Sequence, residues 1–396
     1  MRGEPLSATL WTKEFLLISL TTFFLFFSFQ MLMPTLPTYV QALGARESIV
    51  GLVTGLFAAS ALLVRPFAGR ELDRRGRRGV YQTGLVAFAL AVLAYRWAGT
   101  PAAVLAIRLV HGAAWGLTTT ASGTIVTDLV SPERRGEGLG YYGMFINLAM
   151  AVAPAAGLYI AYHYQYPPLF YASGALAATA WALSHRLPKD PLEERTAEAR
   201  RLLDFFERRA WYPAVLTLLV SFAHASIVTF LQLYARHRGV ANVGPFFTVQ
   251  ALTVMMVRPL AGRTFDRRGP AVVIIPGMGL LSVALVVLSQ ASTLAWFLVG
   301  GVLYGLGMGA TLPGLQALSV AGVPADRRGA ANATYFSALD LGIGLGGISL
   351  GAVADYAGFP VLYLTAAAVV LAGLAIFVVF PPTRHRRQIV SRAAKV

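Results

Sequence analysis

The chain has 396 residues, of which 56% are hydrophobic and 13% charged, with a formal net charge of +15 and no cysteine. Average soluble proteins carry about 25% charged residues, so a water-soluble enzyme is excluded, and the missing thiols remove disulfides, thiolate metal sites and Cys nucleophiles. The positive charge does not point to nucleic acid, because the basic residues sit in short loops between apolar runs instead of gathering on one face.

In chain order, apolar windows fall near 16–40, 48–68, 79–98, 101–127, 137–161, 167–184, 211–234, 243–262, 271–291, 294–320, 330–352 and 358–380. Each approaches the roughly 20 residues that a bilayer-spanning helix needs. The first run is too long for a signal peptide, lacks a cleavage pattern, and counts as a span. Twelve spans put both chain ends on one side. The loops and ends of that side carry 26 Lys and Arg, against four in the opposite loops, Arg46, Arg96, Arg236 and Arg238. The positive-inside rule then predicts cytoplasmic termini in a multi-pass protein of the cell membrane. The one long polar stretch between spans, 185–210, separates a six-span unit at 1–184 from a second at 211–396 that ends in a basic tail. Leu202, Leu203 and Phe206 give this stretch an apolar stripe, which predicts a linker helix on the cytoplasmic membrane surface. A solvated connector is the alternative.

The chain repeats itself at one offset. Arg65-Pro66-Phe67-Ala68-Gly69-Arg70 recurs as Arg258-Pro259-Leu260-Ala261-Gly262-Arg263, and Asp73-Arg74-Arg75-Gly76 as Asp266-Arg267-Arg268-Gly269, a shift of 193 residues. At the same shift Gly112 and Gly116 match Gly305 and Gly309, Glu133-Arg134-Arg135-Gly136 matches Asp326-Arg327-Arg328-Gly329, and Tyr142 matches Tyr335. Six spans return the chain to its starting face, so the two units run parallel about an axis along the membrane normal, with a site expected between them.

The loop from Gly69 to Arg78 resembles the signature loop of the major facilitator superfamily, and Arg108 followed by Gly112 is similar to a second motif of that family. Ala153-Pro154-Ala155-Ala156-Gly157 is a partial likeness to the Gly-Pro motif of its antiporter branch. The resemblance covers about residues 15–380. It implies an all-α fold of twelve transmembrane helices in two pseudo-symmetric six-helix bundles and transport by alternating access. It also implies a conformational switch at Gly69, Asp73, Arg74, Gly76 and Arg77. The repeat adds Gly262, Asp266, Arg267 and Gly269, and Arg65 and Arg258 stand just inside the membrane, where they could complete the network by snorkelling.

Ionisable residues at membrane depth are functional candidates. Asp340 is the carboxylate near the middle of a span, and its repeat equivalent is the neutral Asn147, expected to face it across the cavity. A carboxylate buried without a fixed cation favours its protonated form, so Asp340 is the leading proton-coupling candidate, with His111 and His224 behind it. A structural tie to a neighbouring Ser, Tyr or Arg is the alternative, including a cross-cavity pair with Arg108. Arg108, His111 and Trp115 share one helical face that could offer a ligand a charge, an imidazole and an aromatic wall. Gln30 and Gln250 are further cavity candidates, each equally open to satisfaction by a neighbouring helix.

No phosphate-binding Gly-Lys loop and no His-Glu-x-x-His pair occurs, so neither ATP hydrolysis nor a metal site is expected. No cofactor is expected. The expected partners are a small-molecule substrate, protons and the lipid bilayer, for a chain acting as a monomer. The leading reading is a proton-coupled exporter of an amphipathic or drug-like compound. Organic-anion uptake or exchange through Arg108, and a flippase for a lipid-like substrate, are the alternatives.

Overall fold

The computed structural model describes residues 10–131, 134–188, 207–321, 323–324 and 327–381, with the side chains of these except 66, 73–75, 135–137, 328 and 329. In chain order the helices are α1 (Lys13–Leu32), α2 (Thr35–Ala42), α3 (Glu47–Arg75), α4 (Arg77–Ala94), α5 (Pro101–Leu129), α6 (Arg135–Tyr164) and α7 (Tyr166–Ser184). They continue as α8 (Trp211–Ala225), α9 (Leu231–His237), α10 (Gly244–Arg268), α11 (Ala271–Ser289), α12 (Leu294–Val320) and α13 (Arg328–Val379). Among the described residues, nine stretches are long and apolar enough to cross a membrane. The last of them, Ala330–Val379, is two spans joined at Gly358, where the backbone leaves helical geometry (φ 80, ψ 170). Adding the more polar α7 and α10 makes twelve. Helices are what the sequence demands here, because lipid offers no partner for an open backbone N–H or C=O. The helix starts use local chemistry: Thr12 and Thr100 Oγ1 accept the N–H groups of Phe15 and Ala103, both at 3.2 Å. The expected linker helix lies, over 189–206, outside the described residues.

The 193-residue repeat reappears as packing. A Cβ on Gly112 would strike Phe57 O and Ser60, and one on Gly305 would strike Gln250 O and Thr253, which are the same positions one repeat later. Gly84 meets Thr118 as Gly277 meets Thr311, and Gly116 meets Ala61 as Gly309 meets Val254. The turns repeat as well: Gly76 and Gly269 have φ of 82° and 87°.

One repeated turn is unequal. The junction of α6 and α7 bends at Gln165 with φ 66 and ψ −169, where the second half has Gly358 at φ 80 and ψ 170. A side chain in that region costs about 1–3 kcal/mol. Gln165→Gly is therefore expected to stabilise the protein by about 1 kcal/mol, read as a rise in thermal midpoint in detergent. A drop would show that the Gln165 side chain makes a compensating contact.

The halves meet along two seams. We use terminal face for the side where α1 begins and α13 ends, and distal face for the other. Along the first seam, α3 runs antiparallel to the first arm of α13 (328–357). At the distal end Asp355 Oδ2 accepts the Ser48 N–H at 3.0 Å. Next, Gly51 lies on the carbonyl of Gly347, Gly351 on that of Glu47, and Gly344 against Ala58. Thr54 Oγ1 and Thr229 Oγ1 are hydrogen-bonded at 2.9 Å; Thr229 belongs to a π-helical turn, Ser226–Phe230, between α8 and α9. Gly342 and Gly346, on another face of the same arm, sit on the carbonyls of Leu218 and Phe222 of α8. Small residues thus let one helix approach both halves closely. On the second seam, between α6 and α10, the repeat equivalents of Gly55, Gly344, Gly347 and Gly351 are Thr248, Ala151, Pro154 and Leu158, and these two helices meet over less of their length.

Candidate functional site

Seventeen residues beyond Ser48, about 26 Å along the helix at 1.5 Å per residue, α3 presents Arg65. Its Nη2 donates to Asp340 Oδ2 at 2.7 Å, and Nη1 lies 3.5 Å from Thr119 Oγ1 of α5. The pair joins the two halves, and its side chains are 24% and 20% exposed, so neither is sealed in the packed core. This corrects two expectations. Asp340 has a fixed cation, and that cation is Arg65, neither snorkelling to the surface nor displaced by Arg108. The register of α3 on α13 decides the choice, because Asp340 lies across the seam from Arg65.

Arg108, His111 and Trp115 do share a face of α5, but that face turns into the N-terminal bundle, where all three are buried. Arg108 Nε donates to Val53 O at 2.8 Å, and the guanidinium lies 4.4 Å over the Phe57 ring. Its Nη1 stands 3.5 Å from His111 Nδ1, which also meets the Tyr95 hydroxyl at 3.0 Å. The other ring nitrogen, Nε2, is buried without a hydrogen-bond partner among the described residues. Trp115 stacks on Phe29 at 4.0 Å. In this conformation the trio is bundle core and offers no open wall to a ligand.

His224 Nδ1 lies 2.7 Å from the hydroxyl of Tyr304, the repeat equivalent of His111. Gln30, Asn147 and Gln250 are half-buried, and none has a side-chain hydrogen-bond partner among the described residues. Sequence reasoning did not single out Tyr95, Tyr304, Thr119 or Thr229, since hydroxyls in apolar helices carry no charge signal.

At the terminal face, Gly69 lies in the last two turns of α3 and Gly76 is the residue between α3 and α4, and Arg77 Nε donates to Asp128 Oδ2 of α5 at 2.7 Å. Arg78 donates to the carbonyls of Leu187 and His185 at 2.7 and 2.6 Å. The loop arginines thus tie helices of one half together. The expected role of Asp73 and Arg74 rests on side chains outside the described ones. In the second half Gly262, Asp266 and Arg267 are exposed. Asp128 could have been found as the lone acid ending an apolar span.

Glu207, just before α8, accepts the Arg209 N–H at 3.1 Å and the Arg327 Nε at 3.1 Å. These bonds hold its carboxyl below its ordinary range, the backbone bond being the larger cause. A depressed carboxylate stabilises the fold above its unfolded pKa and loses that contribution as pH falls through the folded one. Glu207→Gln should therefore lower the thermal midpoint by about 1 °C at pH 7, with a deficit that shrinks steadily as the solution is acidified below the ordinary carboxylate range. A deficit that does not shrink on acidification would refute the ionic account.

An open apolar groove of about 510 Å³ runs along α10, lined by Val249, Leu252, Thr253, Met255 and Met256. The Major Facilitator Superfamily model matches residues 18–271 and 240–395 of the chain. The chain belongs to this superfamily. As a major facilitator it is a multi-pass membrane transporter and not an enzyme. An uncharacterized MFS-type transporter of Methanocaldococcus jannaschii is 23% identical over 89% of this chain and 94% of its own length. The staphylopine export protein of Staphylococcus aureus is 24% identical over 88% of this chain and 91% of its own length. The quinolone resistance protein NorA of the same organism is 25% identical over 57% of this chain, and the match spans only 59% of NorA. Among solved structures, the nucleoside transporter NupG superposes with a TM-score of 0.74 at 15% identity, covering 93% of this chain and 99% of its own. The human organic anion transporter MFSD10 gives 0.70 at 20% identity, covering 92% and 98%. Both show the fold alone.

Proposed function

We propose that this transporter exports a small amphipathic organic compound in exchange for protons, with the terminal face in the cytoplasm and Asp340 as the coupling carboxylate. The observation that carries the reading is the Arg65–Asp340 pair, which spans the two halves and is only partly buried. The halves must move against each other for alternating access. An ionised Asp340 holds Arg65 and so ties α3 to α13. A proton on Asp340 removes that charge and frees the seam, which makes protonation and domain movement one event. Arg65 is the group that meets Asp340, and Thr119 lies against the other arm of the Arg65 guanidinium. The export direction is supported by relatives that are a quinolone resistance protein and a staphylopine exporter.

Reconstitution tests this reading directly. Proteoliposomes with an imposed pH gradient should expel ethidium, and collapsing the gradient with a protonophore should stop the movement. Transport insensitive to the protonophore would sink the coupling claim.

A further inference from the structure

The repeat pairs Arg65 with Arg258 and Asp340 with Asn147. Arg65 and Arg258 are placed alike, since each is half-buried and each keeps a buried Nε without a hydrogen-bond partner. They differ in what meets the rest of the guanidinium. Arg65 has a carboxylate at 2.7 Å, whereas no carboxylate among the described residues pairs with Arg258, and the position that mirrors Asp340 holds an amide. A guanidinium at membrane depth without a counter-charge is costly, and a scaffold that supplies the acid on one seam and omits it on the other leaves a place for an acid from outside. Arg108 is another arginine at membrane depth for which no acid partner is present among the described residues, but it is 1% exposed and closed in by Val53, Phe57 and His111. Arg258 is half-buried and stands one helical turn beyond Met255, which lines the open apolar groove of about 510 Å³.

We infer that Arg258 receives the carboxylate of an amphipathic organic acid, whose apolar body lies against Met255 and Met256, the bound acid standing where the repeat omits its own. This rests on the transport reading above and names the substrate class within it. The arginine fork suits a carboxylate in particular, because two parallel N–H donors match its two oxygens.

Binding of 2-naphthoate and its neutral isostere 2-naphthamide to the full chain in nanodiscs, followed by calorimetry, tests the inference. The wild-type protein should prefer the carboxylate by about tenfold or more. Arg258→Gln should erase the preference and Arg258→Lys should keep part of it. Asn147→Asp should erase it too, because the restored acid would occupy Arg258 from within. Should Arg258→Gln not fold, the Asn147→Asp arm carries the test. Equal or undetectable binding of both probes to the wild type, or a preference that survives both Arg258→Gln and Asn147→Asp, overturns the inference. Gradient-driven ethidium extrusion, measured on the same protein in proteoliposomes, reports on the transport reading separately. Extrusion without carboxylate preference removes only the substrate class. Preference without gradient-driven movement of either ethidium or 2-naphthoate, corrected against protein-free vesicles, removes only the coupling.

Discussion

Asp340→Asn is expected to abolish pH-gradient-driven transport while leaving substrate binding and exchange in the absence of a gradient largely intact. The amide preserves shape and can still accept from Arg65, so the seam keeps a contact, but it can neither carry a proton nor switch its charge. Removing one member of a partly buried pair costs about 3–5 kcal/mol when the other is left uncompensated, and the amide softens that loss. Arg65→Gln should behave differently. It leaves the proton site and removes the tie, so transport should slow while its pH dependence persists, shifted. Flux measurements with and without a gradient separate the two. Wild-type accumulation by the Asn variant would make Asp340 structural and move attention to His224, whose imidazole meets a hydroxyl and not a cation. A collapse of binding would instead make the Arg65–Asp340 pair a ligand contact.

Gly51→Val is expected to force the distal ends of the two halves apart. The added Cβ would overlap the backbone oxygen of Gly347, and a backbone carbonyl in a helix cannot rotate away. Neither Gly347 nor the nearby Gly351 has a side chain to yield, so the helices must separate. Labels at Arg46 and Tyr356 should move apart by several ångström, since overpacked seams relieve clashes by backbone shifts, and transport should fall by at least about tenfold. The chain has no cysteine, so thiol labels at these two positions meet no background. An unchanged distance distribution would mean that α3 and α13 slide past the clash.

Much of the fold was legible in the sequence because its signals are additive. Span length, the loop arginines and a repeat at one offset each survive local errors, and the glycine and turn positions that define the repeat reappear as matched packing. The site was less legible for a physical reason. In a membrane bundle the residues facing lipid, bundle core and cavity are all apolar, so the periodicity that puts Arg108, His111 and Trp115 on one face does not say what that face meets. It meets Phe29, Phe57 and Tyr95. Asp340 stood out as a carboxylate at depth, but its partner depended on the register between two helices 275 residues apart in sequence, which no local pattern encodes. Glu207 looks like ordinary loop charge until its arginine is seen, and Asp128, although it closes an apolar span, shows its role only once Arg77 is placed beside it.

The two seams between the halves differ in kind. One is drawn together by facing glycines, a threonine pair and the Arg65–Asp340 bridge. The other has bulkier residues at the matching positions and a shorter line of approach. Two leaves fastened along one edge swing as a door does on its hinge post, with the larger excursion at the free edge. The free edge here is α6 and α10, and the apolar groove lies along α10. The largest excursion would therefore open beside that groove, while the glycine-lined edge acts as the pivot.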